Sequence, residues 1–234
     1  MSFIGKLMRQ MERSTAGSDD TAIKVLKLCG EITPQKALFL GDDSFTPKHI
    51  VKQFPDCAVT ATYHEDYRAE KAEAEGLSVK LVGTFEFLKT NGGWDFVWYN
   101  GNTEPDGTAR RLEQLYNCLK KGGMAVFRTL CWLIDPSLDT KYYVEHRFGR
   151  PVPFDSVLRE AKEQGFKIHD FYIAPKSDWT GGFYRPMSEI MRTLEGASEE
   201  DDAQSGIGEI NKEIYMFDLH SEEYSYVYYI LRQV

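Results

Sequence analysis

Short apolar runs alternate with segments of helical character through the first 130 residues, and this alternation limits the fold more than any other feature of the chain. Apolar runs of strand length occupy 37–40, 57–63, 78–82, 94–99 and 123–129. Segments predicted to be helical occupy 22–28, 47–54, 65–75 and 108–119. Strands separated by helices pair in parallel, so the sequence predicts an α/β fold built on a doubly wound, mostly parallel sheet.

The second half of the chain departs from this regular alternation. A helix is predicted at 154–164 and a strand at 166–173, and the tyrosine-rich segment 224–231 is typical of an edge-side or antiparallel strand. Three stretches are expected to be irregular: an insertion at 136–153, a loop at 175–186 and a mobile acidic segment at 195–208.

The charge balance and the hydropathy pattern exclude two classes of partner. The chain carries 28 Lys and Arg against 36 Asp and Glu, a net charge of −8, whereas a nucleic-acid binder normally has a basic face. The longest apolar run, counting Tyr, is 226–231, far short of the roughly 18 residues that span a bilayer. The first 11 residues have no apolar core or cleavage site of a signal peptide. We therefore expect no nucleic-acid partner, no membrane partner and a cytoplasmic location.

The cysteines do not form a recognisable metal or disulfide pattern. Cys29, Cys57, Cys118 and Cys131 include no C-x-x-C pair, and no His lies within four positions of any of them. Each lies in an apolar neighbourhood, which predicts small buried side chains without a metal ligand role.

The turn after the first strand is where a ligand site is expected, because ligands of open parallel sheets bind beyond the carboxyl ends of the strands. The segment 39–44 resembles the nucleophile block of the SGNH/GDSL hydrolases, with Ser44 as nucleophile, although one extra residue separates Gly41 from it. That resemblance implies an Asp and a His near the C-terminus, for which Asp218 and His220 are the candidates.

A second resemblance covers more of the chain. The run Trp94-Asp95-Phe96-Val97-Trp98, followed by a helix and then Leu119-Lys120-Lys121-Gly122-Gly123, is similar to the back half of class I S-adenosylmethionine (SAM)-dependent methyltransferases. The turn Ala16-Gly17-Ser18, Trp132 and the segment 179–186 resemble features of a bacterial small-molecule subgroup of the ubiquinone and menaquinone biosynthesis type.

This resemblance implies a Rossmann-like seven-stranded methyltransferase sheet with an N-terminal helical lid and an insertion after strand five. The chain then divides into the lid (1–30), a SAM-binding core (31–130), and the insertion, acceptor-side loops and C-terminal strands (131–234). The cofactor positions implied are Gly41, Asp42, Ser44, Tyr63, His64, Glu86, Asn100 and Gly101. The positions implied for the substrate are Trp132, Trp179, Phe183 and Tyr184, with no metal ligand.

Two of the implied cofactor contacts depart from the family. Only Gly41 remains of the glycine-rich first loop, and Tyr63 stands where the family has the acid that binds the ribose hydroxyls. The resemblance thus leaves two hypotheses, a SAM-dependent methyltransferase acting on an unidentified small molecule and a non-catalytic protein that keeps the fold. A homodimer is expected in either case.

Overall fold

The computed structural model describes residues 2–41, 43, 45–63, 69–70, 72–73, 77–81, 87–88, 91–102, 107–195 and 200–234. Its strands are β1 (Lys36–Leu40), β2 (Ala58–Tyr63), β3 (Ser78–Leu81), β4 (Trp94–Asn100), β5 (Leu119–Trp132), β6 (Val152–Pro153), β7 (Phe166–Ile173) and β8 (Tyr224–Gln233). Its helices are α1 (Phe3–Gln10), α2 (Asp19–Leu28), α3 (Thr46–Gln53), α4 (Thr108–Cys118), α5 (Leu138–Phe148), α6 (Phe154–Glu163), α7 (Lys176–Trp179), α8 (Arg185–Glu195) and α9 (Glu200–His220), with a π-helix at Thr180–Tyr184.

The strands form one sheet in the order β3-β2-β1-β4-β5-β8-β7, and the short β6 pairs with β5. Strand β8 runs antiparallel to both β5 and β7, while the other pairs are parallel. The predicted α/β fold with a mostly parallel sheet is therefore confirmed, and every predicted strand is present.

Hydrophobic cores cover both faces of the sheet, because successive side chains of a strand point to opposite sides. Phe39 and Trp98 belong to the core that also holds residues of α1 and α2. Leu38 and Val97 belong to the opposite core, which holds residues of α4 and α6. Strand β1 is buried on both faces, and this explains why its apolar residues form a continuous run.

Three stretches predicted to be irregular are largely helical. The insertion at 136–153 contains α5 and β6, and the predicted loop at 175–186 contains α7, the π-helix and the start of α8. Residues 200–208 of the acidic segment belong to α9, and 196–199 lie outside the described residues. Of the predicted helix 65–75, residues 69–70 and 72–73 are helical, and the rest lie outside the described residues.

The acidic end of α9 is ordered by its contacts with α1. The Asp202 carboxylate accepts a hydrogen bond of 2.6 Å from the Phe3 backbone N–H. A Cβ at Gly206 would lie only 2.6 Å from the Phe3 ring, so the two helices approach closely at this glycine. Residues 200–208 therefore belong to a helix that packs on α1 rather than to a loop.

Three of the four cysteines are buried, as predicted, whereas Cys57 is only half-buried. Cys29, Cys118 and Cys131 are buried, and burial raises the pKa of each thiol to about 12. Among the described residues, no group of three or more His, Cys, Asp or Glu is placed to hold a metal ion. In the same part of the chain, no helix combines the length and apolar character that crossing a membrane requires.

Asp95 links the amino ends of β1 and β4, and its ionised carboxylate is expected to stabilise the fold. Burial opposes ionisation of this carboxylate, but a hydrogen bond of 2.8 Å from Lys120 Nζ and the backbone N–H groups of Gln35 and Lys36 together lower its pKa. A lowered pKa stabilises the fold above the ordinary value of 3.8, and that stabilisation is lost as the pH falls through the folded-state pKa.

We expect Asp95→Asn to lower the free energy of unfolding at pH 7 by about 1 kcal/mol, because a charge-assisted set of hydrogen bonds is weakened. Urea unfolding at several pH values measures the effect, and the difference from the wild-type chain should shrink below pH 4. Asp56→Asn, at an exposed turn, is the matched control. Equal losses for the two variants, or a difference that does not change with pH, would contradict the assignment.

Candidate functional site

The candidate site lies at the carboxyl ends of β1 and β4, where the strand order of the sheet reverses. The chain leaves β1 toward β2 on one side, whereas β4 lies on the other side of β1. Ligands of open α/β sheets bind in the crevice at such a switch point. In this chain the crevice is covered by residues 13–18, which we call the lid loop.

Gly41 allows the turns after β1 and β4 to approach each other. A Cβ at this position would lie 2.7 Å from Asn100 Cβ and 3.0 Å from Phe39 Cζ. Both contacts are shorter than ordinary van der Waals separation, so only glycine fits here without displacing its neighbours. The predicted cofactor positions Gly41, Asn100 and Gly101 are thus brought together.

Asp43 is the buried acid of the site. Its carboxylate accepts hydrogen bonds from the Thr46 backbone N–H (2.7 Å), from Thr46 Oγ1 (3.1 Å) and from Asn100 Nδ2 (2.8 Å). Burial raises the pKa of the Asp43 carboxyl, while the Thr46 donors and the guanidinium groups of Arg128 and Arg13 oppose that rise. The carboxylate ties the start of α3 to the end of β4.

Tyr63 lies beside Asp43 at the end of β2. The side chain is fully buried, and its hydroxyl donates a hydrogen bond of 3.2 Å to the Asp43 backbone carbonyl. The position where the family resemblance implies a ribose-binding acid is therefore occupied by a ring that is attached to the first turn of the site.

Arg128 of β5 clamps the lid loop, and the sequence analysis did not identify it. The side chain is 1% exposed and donates to the carbonyl oxygens of Gly101 (2.8 Å) and Ala16 (2.8 Å), and to Thr15 Oγ1 (3.1 Å). Its guanidinium lies 3.4 Å from the centre of the Tyr226 ring. The available signal was a single arginine within an apolar strand, where a buried charge needs partners.

The lid loop is held from its other side by Asp178. Ser18 Oγ donates to Asp178 Oδ1 (2.6 Å), and the Gly17 backbone N–H donates to the Asp178 carbonyl oxygen (3.3 Å). Within the lid loop, the Arg13 guanidinium lies 3.5 Å from the centre of the Phe45 ring. Arg128 and Asp178 therefore fix the lid loop against the sheet.

The covered crevice leaves a cavity of about 10 Å³, lined mainly by the lid loop and by Asp43, Phe45, Trp98, Asn100 and Tyr228. That volume holds about one water molecule. The buried atoms without a hydrogen-bond partner include three donors from residues around the crevice: Trp98 Nε1, Arg13 Nε and Arg128 Nε. The site is closed in this conformation, and of these three donor residues only Trp98 lines the cavity.

Four of the predicted cofactor positions cannot be placed. Asp42, Ser44, His64 and Glu86 lie outside the described residues. The cofactor positions that the structure describes, Gly41, Tyr63, Asn100 and Gly101, all lie at the strand ends around Asp43.

The four predicted substrate residues are buried: Trp132, Trp179, Phe183 and Tyr184. Trp179 stacks on Phe217 at 4.7 Å and on Tyr226 at 5.1 Å between ring centres. Its Nε1 donates to Ser225 Oγ at 3.2 Å. In this conformation these aromatic residues pack as core under the lid loop, and their contact with a substrate remains a prediction.

The Asp–His pair that a hydrolase would need is not formed. His220 Nδ1 lies 2.7 Å from Glu223 Oε1, and Asp218 Oδ1 lies 3.6 Å from Lys176 Nζ. Both side chains thus have other partners, so the described residues give no support to Ser44 as an activated nucleophile.

Comparison with known proteins identifies the fold, but it finds no match by sequence. No protein-family model matches the chain, and no curated protein matches it. Solved structures do match over the whole length. A SAM-dependent methyltransferase from Thiobacillus denitrificans in complex with S-adenosyl-L-homocysteine superposes with a TM-score of 0.78 at 14% identity, covering 99% of this chain and 98% of that one.

Two further structures show how wide this fold group is. A SAM-dependent methyltransferase from Geobacter sulfurreducens, also in complex with S-adenosyl-L-homocysteine, gives a TM-score of 0.77 at 13% identity over 99% of this chain and 98% of that one. The [4+2]-cyclase SpnF gives 0.70 at 12% identity over 99% and 92%. The chain therefore has the Rossmann-like fold of class I methyltransferases, as predicted.

The residues of the site fit one end of SAM better than the other. The methionine end of SAM carries a carboxylate, which matches the buried donors Trp98 Nε1, Arg13 Nε and Arg128 Nε. It also carries an ammonium, for which the Asp43 carboxylate is an acceptor. At the ribose end Tyr63 offers a single hydroxyl in place of a carboxylate. By chemical type, this set of donors and acceptors suits the amino-acid end of SAM better than the ribose end.

Proposed function

We propose that this chain is a SAM-dependent methyltransferase that acts on a small molecule. The observation that carries the proposal is the polar, lid-covered site at the ends of β1 and β4, in a chain whose whole length has the methyltransferase fold. When bound, SAM supplies a methyl group on a sulfonium, and the acceptor needs correct placement more than it needs a catalytic side chain.

Each residue of the site has a defined task in this proposal. Arg13, Arg128 and Trp98 would hold the carboxylate end of the cofactor with donors that are now unpaired. Asp43 and Asn100 would bind its ammonium. The lid loop would exclude water from the reacting atoms when it closes again.

Binding requires the closed site to open. A cavity of about 10 Å³ cannot admit a nucleoside, so the lid loop must separate from Arg128 and Asp178, and Phe45 must move. We therefore expect SAM to bind with lower affinity than it would to a preformed site, since part of the binding free energy opens the lid loop.

Titration calorimetry with SAM and S-adenosylhomocysteine tests the proposal. We expect both to bind, and Tyr63→Asp to tighten both by about tenfold, because a charged bidentate hydrogen-bond pair to the ribose is restored. Tyr63→Phe is the matched control, since it keeps the ring and removes only the hydroxyl.

No heat from either ligand at millimolar concentration, for the wild-type chain and for Tyr63→Asp alike, would contradict the proposal. Equal affinities for the wild-type chain and Tyr63→Asp would show that Tyr63 does not lie at the ribose. Circular dichroism verifies that each variant is folded.

A second candidate function is a non-catalytic binding protein that keeps the fold. The small cavity favours it, since the chain's own side chains fill the place of a ligand. The [4+2]-cyclase among the structures of this fold also indicates that the fold alone does not fix the reaction. Binding of S-adenosylhomocysteine without methyl transfer to any of a panel of small amines, phenols and carboxylates would favour this candidate.

The finer features of the proposal rest on the sequence. We propose that the protein is cytoplasmic, and also that it has no nucleic-acid partner, which the net charge of −8 supports. We also propose a homodimer, and a substrate of the class used by the ubiquinone and menaquinone biosynthesis subgroup. Analytical ultracentrifugation tests the dimer directly.

A further inference from the structure

A second, larger cavity lies between α5 and α9, on the far side of the aromatic core from the lid loop. Its volume is about 670 Å³, within the range of small-molecule sites. Phe217 follows Met216 of the cavity wall and stacks on Trp179, which in turn stacks on Tyr226 beneath Arg128. This aromatic stack separates the cavity from the candidate SAM site.

Aromatic rings form part of the cavity wall. Tyr142 and His146 lie one helical turn apart on α5, with their rings parallel to within 4° and their centres 6.3 Å apart. Tyr142 is 78% exposed, and exposing so large a ring to water is unfavourable unless a binding partner covers it. Tyr143 is half-buried beside them. The negative faces of such rings attract cations.

The chain already places a cation against this wall. The Lys212 ammonium lies 5.7 Å from the centre of the Tyr143 ring, within the distance at which a cation–π attraction acts. Lys212 is exposed, so its side chain can leave the ring without exposing a buried charge. It marks the place that the ammonium group of a ligand would take.

The charges around the cavity also favour a cation. Beside the cavity wall, Glu213 is 1% exposed, and its carboxylate accepts hydrogen bonds from Arg147 Nε (2.7 Å) and Nη2 (2.6 Å), so these two charges compensate each other. Four charged side chains line the cavity: the carboxylates of Asp139 and Glu209, the Arg147 guanidinium and the Lys212 ammonium. With the buried Glu213 that pairs with Arg147, three carboxylates stand against two cations, and this group of five side chains has a net charge of −1.

We propose that this cavity binds a small organic cation with an ammonium or methylated ammonium group, which displaces Lys212 from Tyr143. The aromatic wall and the net negative charge recognise the cation, and the volume admits a molecule of metabolite size. The proposal does not depend on SAM binding, because the aromatic stack separates the two sites.

Titration calorimetry with choline tests it, with 3,3-dimethylbutan-1-ol as the neutral molecule of the same shape. At 150 mM salt we expect choline to bind about tenfold more tightly than the neutral alcohol. Tyr143→Leu should weaken choline binding by about tenfold, while the matched control Tyr143→Phe should leave it unchanged because the ring is kept. Lys212→Gln should tighten choline binding by about threefold, because the competing ammonium is removed.

Equal binding of choline and the neutral alcohol, or no binding of choline at 10 mM, would overturn the proposal. Choline binding that Tyr143→Leu does not change would place the cation elsewhere and would also overturn it. Weaker choline binding by Lys212→Gln would show that Lys212 does not compete for the ring. The unfolding midpoint of each variant, measured by urea, separates these outcomes from loss of the fold.

Discussion

Arg128→Met is expected to lower the free energy of unfolding by about 3 kcal/mol and to release the lid loop. Arg128 donates to the carbonyl oxygens of Gly101 and Ala16 and to Thr15 Oγ1, so its removal leaves these buried acceptors without a donor. Methionine has similar length and an apolar end, so the variant removes the charge and the donors with little change in volume.

The loss of Arg128 also removes the positive charge that acts on two buried carboxyl groups. Burial raises the pKa of Asp43 and of Asp178, and the Arg128 guanidinium opposes the rise in both. In Arg128→Met both pKa values should rise further. Since a raised carboxyl pKa makes the folded state bind protons more tightly than the unfolded state, the variant should lose more stability than the wild-type chain as the pH rises above the ordinary carboxyl pKa of 3.8.

Urea unfolding and amide hydrogen exchange measure these effects. Exchange at the Gly17 N–H, which is bonded to the Asp178 carbonyl, reports release of the lid loop. Arg128→Lys keeps the charge and loses the fork geometry, so it should recover part of the stability. Arg192→Met, on the exposed face of α8, is the matched control and should change stability by less than about 0.5 kcal/mol.

If Arg128→Met costs no more than Arg192→Met, and Gly17 exchanges at the wild-type rate, the clamp is not formed in solution. If stability falls and Gly17 exchange does not change, Arg128 supports the sheet and not the lid loop. Only a loss of stability together with faster exchange at the Gly17 N–H agrees with the geometry.

The sheet was predictable because its strands are defined by local patterns. Strand β1 is buried on both faces, so its run of apolar residues has a single explanation. The resemblance to methyltransferases implied Gly41, Tyr63 and Asn100 as cofactor positions, and the fold brings them together because the carboxyl ends of parallel neighbours meet at one edge. The contacts within that edge were not predictable. The clamp joins Arg128 to Ala16 across 112 positions, and nothing in the local pattern of either segment indicates the other.

Two of the helices missed by the sequence analysis, α5 and α9, have a weak amphipathic pattern. In α5 only Thr140 and Val144 are fully buried, so the apolar face is too narrow to indicate a helix. Part of what fixes this helix is the Arg147–Glu213 ion pair, which joins it to α9. The start of α9 is similarly polar, and it is held by the Asp202 bond to Phe3 and by close packing at Gly206. Distant partners therefore decide what the local composition leaves open.

Substitutions at Gly181 and Gly182 test directly whether the lid loop rests on the π-helix. The two glycines suggested a loop, yet they lie in a π-helix, where glycine weakens the helix unless space requires it. A Cβ at Gly182 would collide with the carbonyl oxygen of Gly17, whereas a Cβ at Gly181 would meet nothing within 4 Å. The absence of a side chain at Gly182 is therefore what lets the lid loop rest on the π-helix.

We expect Gly182→Ala to lower the free energy of unfolding by about 2 kcal/mol, because the added methyl group must push a backbone segment away. The lid loop cannot yield by a small shift, since Gly17 N–H and Ser18 Oγ are both bonded to Asp178. Amide exchange at Gly17 should accelerate, and urea unfolding should report the lost stability. Gly181→Ala, one residue away, should keep wild-type exchange and be neutral or slightly stabilising, because alanine favours the helix. Equal effects of the two substitutions on Gly17 exchange would show that the lid loop does not rest on Gly182. An effect of Gly182→Ala alone would support a closed site whose opening is controlled at this contact.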